Sequence, residues 1–328
     1  MEYFDFENKL NILFPQNNSL DGDKVGLQIK NNKSEVTKVL ITLEITEDVI
    51  LESSFLEVDT IISFHPLIYK DFSLVDNNER VGKLIKEIIK LNLNVFVIHT
   101  NFDTFEYGSN YILAKKLNLN VVDYLVPLRQ NKLGDTELGM GLICESFRLE
   151  NKDDKENKFN LKNLLEKLDE VTNSPIKYCV GESLNVSKIA IVCGSGSSFI
   201  DNIFDYNKNL NSKQNYNSMN NQIDTFITAD ITYHTFHKCK GKLNLIDIGH
   251  FEMEQFVVGG LYENISKFFK KDQKLNSNSN SNINNTENNT IDNIIFYESK
   301  VLTNPVEYYQ QKNLKNYKEN QLNYLLNH

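Results

Sequence analysis

The chain contains no tryptophan, and its four cysteines (Cys144, Cys179, Cys193, Cys239) form no CxxC pair. A disulfide-stapled scaffold is therefore excluded, and the cysteines read as free thiols, mostly in the core, in a reducing compartment. No apolar run approaches the roughly 18 residues that a membrane span requires, so no membrane partner is expected. No basic run exceeds an adjacent pair, and the formal net charge is −9. That balance argues against direct nucleic-acid binding, which needs a basic face. The first residues, Met1-Glu-Tyr-Phe-Asp-Phe-Glu, lack the basic and apolar regions of a signal peptide, so a cytoplasmic location is expected.

What the chain does have is enough apolar material for a core. Hydrophobic residues make up 40% and charged residues 24% of 328 positions, a globular composition whose length suits two domains. Strand-like and helix-like patterns alternate through the first half. Lys38 begins a β-rich run, and Thr46 to Leu56 has helical spacing with Thr46 and Glu47 as start signals. Val58 to Leu67 reads as a strand, Val81 to Leu91 as a helix, Asn94 to His99 as a strand and Gly108 to Leu119 as a helix. Repeated βα units imply an α/β fold with a largely parallel, doubly covered sheet. Further strands are expected at Met140 to Phe147, Ser187 to Cys193, Asp224 to Thr228, Leu243 to Ile248 and Ile294 to Glu298, with helices at Leu161 to Leu168 and Val257 to Phe269.

The expected division is an N-terminal α/β part over 1–123, a C-terminal α/β part over 124–310 and a polar tail over 311–328, with the ends of the chain packing together. Three segments read as inserts: Glu150 to Lys158, Asn202 to Gln222 and Lys271 to Thr290, the last two Asn-rich near 202–222 and 271–290. Their composition cannot bury enough apolar surface to offset ordering entropy, so they are expected to loop out.

Histidines and acids cluster at the ends of the apolar runs. His65 follows Ile61-Ile-Ser-Phe and precedes Pro66, at the carboxyl end of an expected strand, the edge where open α/β sheets gather ligands. Its alternative reading is structural. His99 and Asp103 lie at the end of the next strand; they suit metal ligation, or the segment is a helix start rich in capping residues. His250 and Glu254 have the four-residue spacing that places two side chains on one helical face, whereas Glu252 points elsewhere. Their alternative is a helix-start acid beside a buried histidine. Histidine nitrogens and carboxylate oxygens converging at strand ends are the donor set of a divalent transition metal. The loop Gly194-Ser-Gly-Ser-Ser lacks the lysine of a P-loop and reads either as an anion cradle or as a tight turn. Within Tyr233-His-Thr-Phe-His-Lys-Cys, only His234 is expected to line a site.

Taken in order, Gly22-Asp-Lys-Val-Gly-Leu-Gln, Ile62-Ser-Phe-His-Pro-Leu-Ile, His99-Thr-Asn-Phe-Asp, Gly194-Ser-Gly-Ser-Ser, Thr228-Ala-Asp-Ile-Thr-Tyr-His and Leu245-Ile-Asp-Ile-Gly-His-Phe-Glu-Met-Glu resemble the Nif-three-like family, the group also called GTP cyclohydrolase 1 type 2 homologues. The resemblance spans roughly residues 1 to 310 and leaves out the Asn-rich inserts. It implies two interlocked α/β domains with a two-metal site between them, in a ring-shaped homo-oligomer, commonly a hexamer. By position it implies that His65 and Asp103 hold one metal, that His250 holds another and that Glu254 is shared. It also implies a metal-dependent hydrolase of a nucleotide such as GTP, or, as the alternative, a metal-stabilised scaffold that binds protein partners such as transcription regulators. The cofactor expected is one or two divalent cations per chain (Zn, Mn, Fe or Co), with His99 and His234 as candidate catalytic proton shuttles. One departure stands out: many family members have a histidine where this chain has Phe64, and phenylalanine cannot coordinate.

Overall fold

A computed structural model describes residues 1–132, 134, 136–146, 159–212, 221–279 and 294–309. The apolar runs of the first half become the centre of a five-stranded sheet. Its strands are β1 (Gly26–Ile29), β2 (Lys38–Thr42), β3 (Thr60–Ser63), β4 (Asn94–Val97) and β11 (Ile295–Glu298), in the order β1-β4-β3-β2-β11. The last four in that order are parallel, and β1 closes one edge antiparallel to β4.

The reason these strands read as continuous apolar runs is that both faces are covered. Val39 and Ile41 of β2 point to one face, where they meet Phe6 and Leu10 of α1 (Tyr3–Leu13) and Leu261 and Ile265 of α10 (Val257–Ser279). Leu40 points to the other, against Val49 of α2 (Glu47–Phe55) and Ile85 and Ile88 of α3 (Arg80–Lys90). Each fully buried side chain of this size contributes about 1.5–3 kcal/mol. The Thr46 hydroxyl caps α2 by accepting from the Val49 amide, as its position before the run predicts.

The second sheet is mixed. Its order is β5 (Asn120–Gln130), β6 (Thr136–Glu145), β8 (Lys188–Ile191), β9 (Thr225–Thr228), β10 (Asn244–Asp247) and β7 (Lys177–Cys179). Only β8, β9 and β10 run parallel to one another. One face packs on α5 (Ser109–Lys116) and α6 (Leu161–Thr172), the other on α7 (Ile200–Ser212) and α8 (Tyr233–Cys239). The four cysteines are free, and Cys144, Cys193 and Cys239 are buried.

The fold is thus mixed α/β with two sheets, and the chain crosses between them more than once. Helix α10, late in sequence, covers the first sheet, and β11 pairs with β2. Strand β5 begins at Asn120, ahead of position 124.

Two of the expected loops are partly helical. Helix α7 takes in Asn202 to Ser212, because Ile200, Ile203 and the half-buried Phe204 and Tyr206 supply a face for the second sheet. Helix α10 runs on through Lys271 to Ser279. Residues 213–220 and 280–290 of these segments, the charged stretch 150–158 and the tail from Gln310 lie outside the described residues. Among the described residues, no helix is long and apolar enough to cross a membrane.

Candidate metal centre

Six strand ends supply the site. Six of the parallel strands finish two or three residues before a residue of the site: β2 before Glu44, β3 before His65, β4 before His99, β8 before Gly194, β9 before Asp230 and β10 before His250. Parallel alignment places these carboxyl ends on one edge of each sheet, and the two edges face each other. His250 opens the short helix α9 (His250–Glu254), which turns Glu254 back onto the same face.

The convergence is tight. His65 Nε2 lies 3.0 Å and His250 Nε2 3.2 Å from the same atom, Glu254 Oε2. The ligating atoms of His65, His250 and Glu254 all lie within 4.8 Å of one another. Glu254 is only 3% exposed. Although both imidazole nitrogens come within ion-pair distance, neither meets Oε2 with hydrogen-bond geometry, and this buried oxygen has no hydrogen-bond partner. A buried carboxylate oxygen without a donor is costly. Two imidazole nitrogens and one carboxylate oxygen aimed at a common point, with the oxygen otherwise unsatisfied, fit a divalent cation.

The far side of each ring strengthens that fit. His65 Nδ1 meets Glu44 Oε2 at 3.1 Å, and His250 Nδ1 meets Asp230 Oδ2 at 2.7 Å. A carboxylate on Nδ1 fixes the ring's tilt and keeps the proton there, leaving the Nε2 lone pair for a metal. Glu44 is itself held by Arg80, whose Nη2 donates to Glu44 Oε1 at 2.9 Å and to the Ile45 carbonyl at 2.7 Å. Asp230 takes a left-handed backbone, φ 57°, which short polar residues tolerate better than most.

The site's own charges answer one another. Burial pulls the His65 imidazole down, but Glu254 and Glu44 outweigh it and hold it at about 10. His250 is likewise lowered by burial and held up at about 9 by Glu254 and Asp230. Burial raises Glu254, yet the two imidazoles bring it to about 2.

Beside this group stands a second imidazole–carboxylate pair. His99 Nδ1 lies 2.8 and 3.0 Å from the two oxygens of Asp23, and Thr100 donates to Asp23 through its amide and its hydroxyl. Burial raises the Asp23 carboxyl, but His99 and Thr100 outweigh it and lower it to about 2. The His99 ring centre is 5.7 Å from that of His65, and His65 is 5.4 Å from His250. The three imidazoles form a row with His65 in the middle.

Asp103 lies close by, on α4 (Thr100–Asp103), but outside the group of atoms that converge within 4.8 Å. Its Oδ1 accepts from the Ser109 hydroxyl, and burial pushes its carboxyl up to about 7. The glycine–serine loop closes the roof. A Cβ on Gly194, whose φ is +71°, would sit 2.7 Å from Glu254 Oε1, so this position needs glycine both for its backbone and for the carboxylate's room. His234 is exposed in the first turn of α8, its ring against Tyr233, and no described contact joins it to the three imidazoles. Glu252 points away, as expected, and accepts from Asn304 and Tyr308 in the segment after β11.

The sequence points to the three converging residues but not to the carboxylates behind them, Glu44, Asp230 and Asp23. Acidic residues are common, and no spacing marks one that lies next to a histidine only in space. Asp23 lies within the Gly22-Asp-Lys-Val-Gly segment and Asp230 within Thr228-Ala-Asp-Ile, both among the segments that carry the family resemblance.

The profile of the family Duf34/NIF3 (NGG1p interacting factor 3) matches residues 1–210 and 211–285. The chain belongs to the Duf34/NIF3 family. A relative from Clostridium perfringens named "GTP cyclohydrolase 1 type 2 homolog" is 29% identical over 275 residues, covering 83% of this chain and 94% of that one. Among solved structures, the Staphylococcus aureus hypothetical protein SA1388 is 25% identical with a TM-score of 0.72, covering 94% of this chain and 99% of that one. A Bacillus cereus protein related to NIF3 shares the fold at 18% identity and a TM-score of 0.71, over the same 94% and 99%. The Duf34/NIF3 architecture therefore extends over nearly the whole chain.

Proposed function

We propose that this Duf34/NIF3 protein is a divalent-metal-dependent hydrolase that acts on a nucleotide. The observation that carries the reading is the meeting of His65 Nε2, His250 Nε2 and the unpartnered Glu254 Oε2 at one point between two sheets. The converging donors number three, fewer than the four that close a structural site. When bound, the cation supplies Lewis acidity and makes water nucleophilic near neutral pH.

The chain's own residues do the rest. Glu44 and Asp230 hold the two imidazoles by Nδ1, which would leave each Nε2 as the atom that holds a cation. Asp23 holds His99 by Nδ1, and His99 passes a proton at Nε2 to or from the reacting group. Asp103, ionised only partly near neutrality, is the nearest further carboxyl, and we retain it as a ligand in the loaded state. The substrate class, a purine nucleotide such as GTP opened at its imidazole ring, is taken from the name borne by the Clostridium perfringens relative. A cytoplasmic homohexamer is the assembly that goes with this reading.

The alternative is a metal-stabilised oligomeric scaffold that binds protein partners without turnover. Phe64, a side chain without a donor at the heart of the site, favours it. The two readings part on His99→Gln. If the protein is a hydrolase, loaded protein screened against purine nucleotides by liquid chromatography turns one over, and His99→Gln lowers the rate about 10²-fold or more while the metal stays bound. No turnover by the loaded wild type leaves the scaffold as the better account.

A further inference from the structure

We infer that each chain holds a single divalent cation, and that Phe64 is the residue that sets this number. The inference rests on the metal-binding reading above and makes it more specific.

The three rings of Phe64, His65 and His99 form a triangle. Its sides, from centre to centre, are 5.2 Å (Phe64–His65), 5.3 Å (Phe64–His99) and 5.7 Å (His65–His99). Phe64 therefore stands at the corner from which a donor would have to reach an ion lodged between the two imidazoles. Its ring has no lone pair to offer. It is fully buried, and it packs with Ile62, Phe96, Ile98 and Phe102 on the α1–α10 face of the first sheet. An apolar wall at that corner leaves an ion short of protein donors and keeps out the waters that would replace them.

The other groups on this side are already engaged. His99 Nδ1 is held by Asp23, and Asp103, retained above as a ligand of the same single ion, accepts from Ser109 on Oδ1 and is not a donor left over for a second. Glu254 Oε1 faces Gly194, where even a methyl group would come within 2.7 Å. Among the described residues, neither His99 nor Asp103 belongs to a set of three ligating atoms within 4.8 Å; His65, His250 and Glu254 form the one such set. His99 is left as a free proton-transfer group beside one ion, rather than as a ligand of a second.

The backbone at this position also favours a clean exchange of side chain. The Phe64 amide donates to the Thr42 carbonyl at 2.9 Å, continuing the pairing of β2 and β3, so the Cβ direction is fixed by the sheet. An imidazole built there would enter the same corner, facing both His65 and His99.

Native mass spectrometry of the full chain, stripped of metal and titrated with Zn or Mn, tests this. Sites that persist in Glu254→Gln are subtracted as surface binding. The wild type is expected to bind one specific ion per chain and Phe64→His to bind two, while Phe64→Leu stays at one. Two specific ions in the wild type overturn the inference and leave the metal reading standing. None overturns the metal reading itself. One ion in both the wild type and a folded Phe64→His overturns the role given to Phe64. If Phe64→His fails to fold, the wild-type count alone decides between one and two.

Discussion

On the side of the five-stranded sheet, His65 is braced by a carboxylate that is itself braced. Glu44 takes Arg80 on one oxygen and His65 on the other. On the side of the six-stranded sheet, His250 leans on Asp230, a half-exposed residue whose described hydrogen bonds to other groups do not include a second cation. The two sheets thus deliver the same pair, an imidazole with a carboxylate on its Nδ1, to one oxygen of Glu254. They differ in how firmly the pair is held. His65 lies in a row of rings between Phe64, His99 and His250, whereas His250 sits at the rim, 37% of its side chain exposed. Under the metal-binding reading proposed above, the first sheet would fix the cation and the second would be its more open side.

The largest effect is expected where the two sides meet. Glu254→Gln removes the shared anionic oxygen, so specific metal binding is lost altogether by elemental analysis while the fold survives in circular dichroism. Retention of stoichiometric metal in that variant would break the comparison at its centre. Next comes Gly194→Ala, which forces a Cβ onto Glu254 Oε1 at a φ of +71°. A loss of about 1–3 kcal/mol in denaturant unfolding is expected, with weakened metal binding alongside. An unchanged midpoint would show that the loop yields freely.

The braces sharpen the comparison. Glu44→Gln and Asp230→Asn each leave the ligands in place and remove the charge behind them, and such changes cost about 10- to 100-fold in metal affinity. Glu44→Gln is expected near the upper end and Asp230→Asn near the lower, because solvent already screens Asp230. Competition titration with a chelating dye measures both. The reverse order would mean that the more open side holds the cation harder.

The smallest effect concerns the His99 side. Asp23 falls from 3.8 in the unfolded chain to about 2 in the folded one. A carboxyl lowered on folding stabilises above its unfolded value, and that stability is lost as pH falls through its folded value. The contribution is about 2 kcal/mol at neutral pH. Asp23→Asn should therefore flatten the fall in stability between about pH 4 and pH 2. An acid-unfolding curve that superimposes on the wild type would count against the Asp23–His99 pair.

Much of this arrangement was legible because strands buried on both faces leave apolar runs, and polar residues just past their ends stand out. Ile61-Ile-Ser-Phe-His and Asn94-Val-Phe-Val-Ile-His are of this kind, and both led to the site. The four-residue step from His250 to Glu254 is readable because positions i and i+4 share one face of a helix, and α9 is one. Helix α1 carries a weaker signal, three buried residues at helical intervals, Tyr3, Phe6 and Leu10. Asparagine masked α7: Ile200 and Ile203 carry its buried face, but the polar residues around them look like a loop. The braces at Glu44, Asp230 and Asp23 depend on contacts 20 to 76 residues apart in sequence, which no local pattern encodes.

The central claim is that the two sheets meet at one cation. Anomalous diffraction from crystals of the full chain soaked in Zn, recorded on either side of the Zn edge, tests it most directly. The account predicts one strong peak per chain, about 2.0–2.2 Å from His65 Nε2, His250 Nε2 and Glu254 Oε2. A peak bound only to residues of one sheet, or none within reach of Glu254, would contradict it.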